Sequence, residues 1–224
     1  EARTVTHSVD MLRAKVKGLL EGLEAEVSVA VDVMLPTIRL VDALQAFQAT
    51  FPTVPLRLQV EALGAVTQLV SERTAVVGIS GPLHVDTTGL ERIAIGHVEF
   101  APVAAPFHPL ARLGPQTPGA VRNHIQLVLT DRSKLTEGQD FGVISMKSWR
   151  LADLGAKHAL LLAGVGWGNM PVAMVQGDLD AGRLVRLDLP EWSESVYPLK
   201  ALYRTDTPPG PAAQWLIERF KSQI

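Results

Sequence analysis

The 224-residue chain has 47% hydrophobic and 20% charged residues and a formal net charge of −2. This composition is typical of a globular protein with a substantial core, and it excludes a basic field able to hold a nucleic acid by itself. Cysteine is absent, which excludes disulfides, thiolate metal sites and a cysteine nucleophile. No apolar run approaches the roughly 20 residues that span a bilayer, and the first residues lack the layout of a signal peptide.

The first predicted element is a helix with a coiled-coil seam. Gly18 and Gly22 weaken this helix near its end. Its pattern favours a dimerisation helix over the alternative, an amphipathic helix that lies on its own domain. The seam consists of apolar residues at alternating spacings of four and three, in the order Val5, Val9, Leu12, Val16, Leu19 and Leu23.

Strands and helices alternate in the next part of the chain. Alternating apolar and β-branched residues predict strands over residues 26–33, 56–60 and 75–79. The apolar spacing over residues 36–51 predicts a helix that begins near a proline, and residues 65–70 predict a shorter helix. This order is typical of a mostly parallel α/β sheet.

The second part of the chain continues the α/β pattern. Its proline-rich beginning makes a boundary between two lobes plausible near residues 101–105. The predicted elements are two short strands within 91–105, a strand over 125–131, a helix over 149–163, a turn and short strand over 179–187, a strand over 197–203 and a helix over 211–220.

The most distinctive stretch is Gly164-Val165-Gly166-Trp167-Gly168-Asn169-Met170-Pro171. Its glycines permit tight backbone conformations and close approaches, and Pro171 suits the first turn of a helix. We predict a tight connection that ends at a helix N-terminus, where free N–H groups and the helix dipole favour a small polar or anionic ligand. A glycine-rich turn packed for shape alone is the alternative.

Catalytic and cofactor motifs are not recognisable. Gly164-x-Gly166 resembles the start of a dinucleotide fingerprint, but position 169 is Asn and the preceding segment is predicted to be helical. The six histidines lack metal-site spacing, and no serine sits in a Gly-x-Ser-x-Gly elbow. We therefore predict no catalytic residues, no metal and no cofactor, and we do not expect an enzyme.

The order of several short motifs resembles the effector-binding domain of a LysR-type transcriptional regulator, and the resemblance covers nearly the whole chain. It implies a periplasmic-binding-protein type II fold, in which two Rossmann-like α/β lobes are joined by two crossover strands and the effector lies between them. The motifs are Met34-Leu35-Pro36 with Phe47 and Phe51-Pro52; His108-Pro109-Leu110-Ala111; Trp149-Arg150 with Leu154; the stretch from Gly164 to Pro171; and Leu179 with Gly182-Arg183-Leu184-Val185.

The resemblance also implies a division of the chain. Residues 1–25 would be the end of a linker and dimerisation helix, residues 26–100 with 200–224 would form lobe I, and residues 101–199 would form lobe II. A winged helix-turn-helix domain would precede them and is absent here. Two features depart from the family: residues 74–78 lack its usual aspartate, and residues 32–35 lack its frequent Ser or Thr.

Matching positions one by one implies an effector site at the ends of the predicted strands. Its mixture of N–H groups and apolar side chains suggests a small organic, anionic or amphipathic metabolite. Other roles stay open for Asp32 (helix capping), for Leu63 and Trp167 (core packing), and for Thr130 with Asp131 (turn formation). The implied residues are Asp32, Val33, Met34, Leu63, Gly64, Pro102, Val103, Thr130, Asp131, Gly166 and Trp167.

The function that the resemblance implies is sensing of a small-molecule effector, without catalysis, to control DNA binding by the missing domain. The protein would be a cytoplasmic homodimer or homotetramer with no membrane contact. The alternative is the solute-binding protein of a transporter, which shares the fold. The coiled-coil start and the lack of a recognisable signal peptide argue against that alternative.

Overall fold

A computed structural model describes residues 2–20, 22–82, 88–112, 118–139, 141–190, 192 and 196–222. Within the first helix, side chains are described for residues 9 and 12–20. The helices are α1 (Ala2–Leu20), α2 (Thr37–Thr50), α3 (Gly64–Ser71), α4 (Pro109–Arg112), α5 (Leu154–Leu162), α6 (Val172–Asp180) and α7 (Pro211–Lys221), with short 3-10 helices at Ala120–Asn123 and Lys134–Thr136. No helix in the described part of the chain is long and apolar enough to cross a membrane.

The strands form one mixed sheet in the order β2-β1-β3-β9-β4-β7-β5-β6, with β8 paired to β4. They are β1 (Val27–Asp32), β2 (Leu56–Glu61), β3 (Val77–Ser80), β4 (Leu90–Ala104), β5 (Ile125–Leu129), β6 (Lys147–Leu151), β7 (Trp167–Pro171), β8 (Val185–Arg186) and β9 (Val196–Arg204). The α/β class predicted from the sequence is confirmed.

Two parallel groups of strands lie on either side of two central antiparallel strands. β1 pairs in parallel with β2 and β3, and β5 pairs in parallel with β6 and β7. We call the first group, with α2, α3 and α7, the first half, and the second group, with α5 and α6, the second half. β9 pairs with β3 and with the beginning of β4, while residues 100–104 of β4 pair with β7. The central strands therefore connect the halves.

Separate apolar clusters stabilise the two halves. In the first, valines of β1 pack against α2 and α7, where the Phe51 and Trp215 rings meet edge to face at 5.5 Å. In the second, Leu127 and Leu129 of β5 pack against Leu161 of α5. A further cluster beside the second half surrounds a fully buried tryptophan, Trp167. Burial of apolar side chains on this scale is the main term that stabilises each half.

Three predicted elements differ from the observed ones. The helix predicted from Trp149 is wrong at its start, because residues 147–151 form β6 and α5 begins only after Asp153, whose carboxylate accepts the Ala156 N–H. The two strands predicted within 91–105 are one long strand, β4, with an irregularity between Ala94 and His97, where Gly96 has φ +104°. The glycine-rich stretch contains a strand, β7, before α6 begins.

The predicted seam of α1 is largely uncovered on the single chain. Val9, Leu12, Val16 and Leu19 are 41%, 62%, 48% and 44% exposed. Leu23 lies beyond the helix and packs on the core of the first half, and the side chain of Val5 lies outside the described residues. The helix therefore presents an apolar face that its own domain does not bury.

Candidate functional site

A cavity of about 480 Å³ opens between the two halves of the sheet. The volume is within the usual range for small-molecule sites. Most of its lining is apolar, and both halves and both central strands contribute to it. The lining residues are Met34, Leu63 and Pro82 from the first half; Phe100, Val196, Tyr197 and Pro198 from the central strands; and Gln126, Leu127, Val128, Leu129, Phe141, Gly142, Lys157, Asn169 and Trp192 from the second half.

A buried carboxylate organises the wall contributed by the first half. Asp32, at the end of β1, accepts the Met34 N–H at 2.8 Å and the Tyr197 hydroxyl at 2.8 Å. Burial raises the pKa of Asp32 to about 6, although these hydrogen bonds act to lower it. Asp32 does not itself line the cavity, but it fixes Met34 and Tyr197, which do.

Tyr197 of β9 contacts both Asp32 of the first half and Phe100 of the other central strand. Its ring stacks on that of Phe100 with centroids 5.3 Å apart, so the two central strands meet at this wall. Burial and the neighbouring Asp32 raise the pKa of Tyr197 well above its ordinary value, so the phenol stays protonated and donates. A Cβ on Gly81 would lie 1.9 Å from the Tyr197 hydroxyl, and the ring fits there only because position 81 is glycine.

The wall from the second half contains a buried amine. Lys157 of α5 is 3% exposed, and its Nζ donates to the carbonyl oxygen of Asn169 at 2.7 Å. Burial lowers the pKa of Lys157 to about 7, because a low-dielectric surrounding disfavours the charged form. A Cβ on Gly168 would lie 3.1 Å from Lys157 Cε and 2.7 Å from the Leu127 carbonyl oxygen. Glycine at 168 therefore leaves room for the lysine to reach along β7.

Two further polar groups of this wall have no hydrogen-bond partner among the described residues. They are the Asn169 Oδ1 and the Trp192 Nε1, both buried from solvent. Gln126 is different, because its amide donates to the Gly142 carbonyl at 2.7 Å and accepts the Ile144 N–H at 2.9 Å. Gln126 therefore holds the 142–145 loop in place, whereas the Asn169 Oδ1 and the Trp192 Nε1 make no hydrogen bond within the described part of the chain.

The structure places the predicted site residues in three surroundings. Met34 and Leu63 line the cavity, and Leu63 also packs in the core, which was its alternative role. Asp32 lies directly behind the cavity wall. It does not cap α2, whose N-cap residue is Pro36. Val33 continues from β1, and its N–H donates to the Glu61 carbonyl.

A second group lies at another junction between the halves. A Cβ on Gly64 would lie 3.0 Å from Asp131 Oδ2 and 2.5 Å from Ser133 Oγ. Asp131 accepts hydrogen bonds from the hydroxyls of Ser133 and Thr136, and the Thr130 N–H donates to the Leu151 carbonyl. These contacts are turn chemistry, the alternative role that the sequence left open, and none of these residues lines the cavity.

The remaining predicted residues lie inside the second half. Pro102 and Val103 pair with Asn169 and Gly168 in the sheet. Trp167 is fully buried beside Leu110, Val121, Leu187 and Leu189. A Cβ on Gly166 would lie 2.4 Å from the Ile125 carbonyl. Residues 167–171 do not form an open turn, because they are strand β7, which lies between β4 and β5 and pairs with both.

The sequence interpretation missed Lys157, Asn169, Trp192 and Tyr197. A signal for the lysine was present, because Lys157 and His158 are the polar residues in the otherwise apolar run from Leu154 to Ala163. A lysine inside an apolar helical run is rarely buried without a reason. Asn169 gave no such signal, because its strand was not predicted. No cluster of His, Asp or Glu in the described ranges could hold a metal ion.

A mixed sheet in two halves, with a ligand-sized cavity between them, defines the class of two-lobed α/β ligand-binding domains. Residues 20–224 match the family described as the LysR substrate binding domain, and the chain belongs to this family. It is the effector-binding domain of a LysR-type transcriptional regulator, as predicted, and the transporter alternative is not supported.

Individual relatives are distant in sequence and similar in fold. The HTH-type transcriptional regulator PunR of Escherichia coli K12 is 24% identical over 97% of this chain and 71% of its own length. The effector-binding domain of QuiR in complex with shikimate has a TM-score of 0.71 at 13% identity, covering 90% of this chain and 97% of that one. The BenM effector-binding domain with benzoate has a TM-score of 0.66 at 15% identity, covering 90% and 92%.

Proposed function

We propose that the cavity between the halves is the effector site, and that its effector is a small organic metabolite, anionic or amphipathic. The observation that carries the proposal is that one cavity of about 480 Å³ has walls from both halves and from both central strands. The ligands of the structural neighbours, shikimate and benzoate, are small carboxylates with a ring, and a ring would suit the apolar lining here. The domain acts as a sensor and not as a catalyst.

We infer that the same geometry transmits the effect of binding. Lobe I would comprise residues 26–100 and 200–224, and lobe II residues 101–199, with β4 and β9 crossing between them. A ligand that contacts both walls stabilises the arrangement in which the walls are closest, and it shifts the equilibrium by no more than its difference in affinity for the two arrangements. DNA binding is assigned to a winged helix-turn-helix domain outside these 224 residues, in a cytoplasmic regulator.

The segment of residues 1–25, which contains α1 and the connection that follows it, is assigned to self-association. Its seam residues Leu12 and Val16 are 62% and 48% exposed on one chain. Burying such a face against a second copy is the usual role of an a/d seam. The unit would be a homodimer or homotetramer, through which a change between lobes alters the spacing of the DNA-binding domains.

The site is tested by blocking the cavity with a matched control elsewhere. Val196 lines the cavity and is 52% exposed, whereas Val60 is 51% exposed on the outer strand β2. A panel of small carboxylic acids, including benzoate and shikimate, is screened by thermal shift, and binders are titrated calorimetrically. Val196→Trp is expected to weaken each binder at least roughly tenfold, and Val60→Trp to have no effect. A binder that tolerates Val196→Trp contradicts the proposed site.

A further inference from the structure

The amine of Lys157 has no counter-charge among the residues that the structure describes. Its Nζ donates a hydrogen bond to a neutral carbonyl, that of Asn169, at 2.7 Å. No ion pair joins it to a carboxylate among the described residues. An ammonium has three N–H donors, so a buried amine with one neutral acceptor is incompletely satisfied. A charge buried without a partner is rare unless it serves a ligand.

Among the described residues, the elements around the amine supply no unpaired anion close to it. The residues of β5, β7 and positions 100–104 of β4 include no charged side chain. On β6, Lys147 and Arg150 are basic and exposed. The acidic Asp178 is engaged by His158 and Arg183. On the opposite wall, Asp32 is bonded by Tyr197.

The same wall contains two unpaired polar groups, and one of them belongs to Asn169, whose backbone carbonyl the amine contacts. The Asn169 side chain is 8% exposed and its Oδ1 has no partner among the described residues. The Trp192 ring and the Asn169 amide both flank Gly142, where a Cβ would lie 3.3 Å from the ring and 4.0 Å from Asn169 Nδ2. Among its described residues, the cavity lining therefore includes a lysine without a counter-ion, an unpaired amide oxygen and an unpaired indole N–H, while Leu127, Leu129 and other apolar residues form most of the remainder.

We propose that Lys157 binds the carboxylate of the effector, and that the effector carries a hydroxyl or amino group, close to that carboxylate, which donates to Asn169. This inference rests on the proposed function, because it assigns the polar groups of the same cavity. A carboxylate provides the negative counter-charge for the lysine, and a neighbouring hydroxyl or amine provides a hydrogen-bond donor for the Asn169 Oδ1. The effector class is thus a hydroxy or amino carboxylic acid with an apolar body.

The charge of the site favours a monoanion over a phosphate. Lys157 is the one basic residue among the described residues that line the cavity, and no arginine fork is present there to bind a dianion. The free Trp192 N–H can donate to the second carboxylate oxygen or to the hydroxyl oxygen. A phosphate ester would leave a second negative charge unpaired in an apolar site.

Proton uptake accompanies this binding mode. Burial places the pKa of Lys157 near 7, and a carboxylate held against the amine raises it again. Below pH 7 the amine is already charged and affinity is independent of its titration. Above pH 7 each binding event must take up a proton, so the affinity for an acid falls by up to about tenfold per pH unit. Neutral ligands are expected to lack this dependence.

The experiment compares acids with their neutral amides on the 224-residue chain. Mandelate, mandelamide, phenylacetate and phenylacetamide are titrated calorimetrically at pH 6.5 and 8.5. Mandelate is expected to bind most tightly at pH 6.5, and Lys157→Met to weaken it roughly 10- to 100-fold, with little effect on mandelamide. Lys157→Arg keeps a cation and removes the pH dependence. Asn169→Leu removes the preference for mandelate over phenylacetate.

A second probe covers the case in which the phenyl group does not fit. Acetate and acetamide are small enough to reach the amine regardless of the effector's body. Acetate, compared with chloride at equal ionic strength, is expected to raise the NMR-measured pKa of Lys157 by at least about 1, and acetamide is not. If no acid binds in preference to its amide and acetate has no effect, the inference is wrong.

The Val196→Trp variant separates this inference from the function on which it rests. If it abolishes binding of the acids while Lys157→Met leaves binding intact, the cavity is the effector site and the role given to Lys157 is wrong. If Val196→Trp also leaves binding intact, the proposed site itself is wrong.

Discussion

Replacement of Lys157 by methionine is expected to stabilise the protein at neutral pH. The pKa of this lysine is about 7 in the folded chain and 10.5 ordinarily. Each unit of that difference corresponds to about 1.4 kcal/mol, so burial of the charged form opposes folding by up to about 5 kcal/mol. Methionine has a similar length and no charge, but it leaves the Asn169 carbonyl without its donor, which costs roughly 1–3 kcal/mol. The net gain expected at pH 7 is roughly 2–4 kcal/mol.

The pH dependence distinguishes this explanation from better packing. The unfolded chain binds more protons than the folded one between pH 7 and 10.5, so wild-type stability rises with pH over that range. The advantage of Lys157→Met should therefore be full below pH 7 and decline as the pH approaches 10.

Urea denaturation at pH 6.5, 8 and 9.5 measures this advantage. Lys147→Met is the control, because Lys147 is an exposed lysine on β6, and it should show no such trend. An advantage of Lys157→Met that is equal at pH 6.5 and 9.5 would refute the assignment of an unpaired buried charge.

The other predictions concern the opposite wall, the core and α1. Tyr197→Phe removes a hydrogen bond to Asp32 that favours its charged form and so keeps the pKa of Asp32 from rising above about 6. The loss of unfolding free energy should be roughly 1–2 kcal/mol at pH 7.5, where Asp32 is charged, and small at pH 4.5, where Asp32 is protonated. Equal losses at the two pH values would contradict this explanation. Trp167→Phe should lower the free energy of unfolding, measured by urea denaturation, by roughly 1–3 kcal/mol and leave ligand affinity unchanged, because Trp167 is in the core. Weaker ligand binding at unchanged stability would instead indicate that Trp167 contacts the ligand. Leu12→Glu with Val16→Glu should convert the oligomer into a smaller species by light scattering, and an unchanged mass would exclude the α1 seam.

The fold was predictable where local sequence and tertiary environment agree. β1 and β5 are buried and carry runs of Val, Ile and Leu, so their sequences alone indicate strands. β6 and β7 read Lys-Ser-Trp-Arg-Leu and Trp-Gly-Asn-Met-Pro, which have low strand propensity. They are strands because neighbouring strands pair with them, and such long-range pairing leaves little trace in a local pattern.

The site was less predictable for the same reason. The glycines of the 164–171 stretch indicated a ligand-binding turn, but Gly166 and Gly168 serve close packing against the backbone of β5. Glycine permits approach to a ligand and approach to another strand equally well, so the residue type alone does not distinguish them. Lys157 and Asn169 meet only because α5 packs against β7, and the missed strand concealed that contact.

The position of the effector is best tested by a crystal structure of the chain with the carboxylic acid that stabilises it most. The acid is expected to lie between the two halves, with its carboxylate about 3 Å from Lys157 Nζ, its body beside Met34 and Leu127, and no contact with Trp167. An acid bound outside this cavity would contradict the proposed effector site.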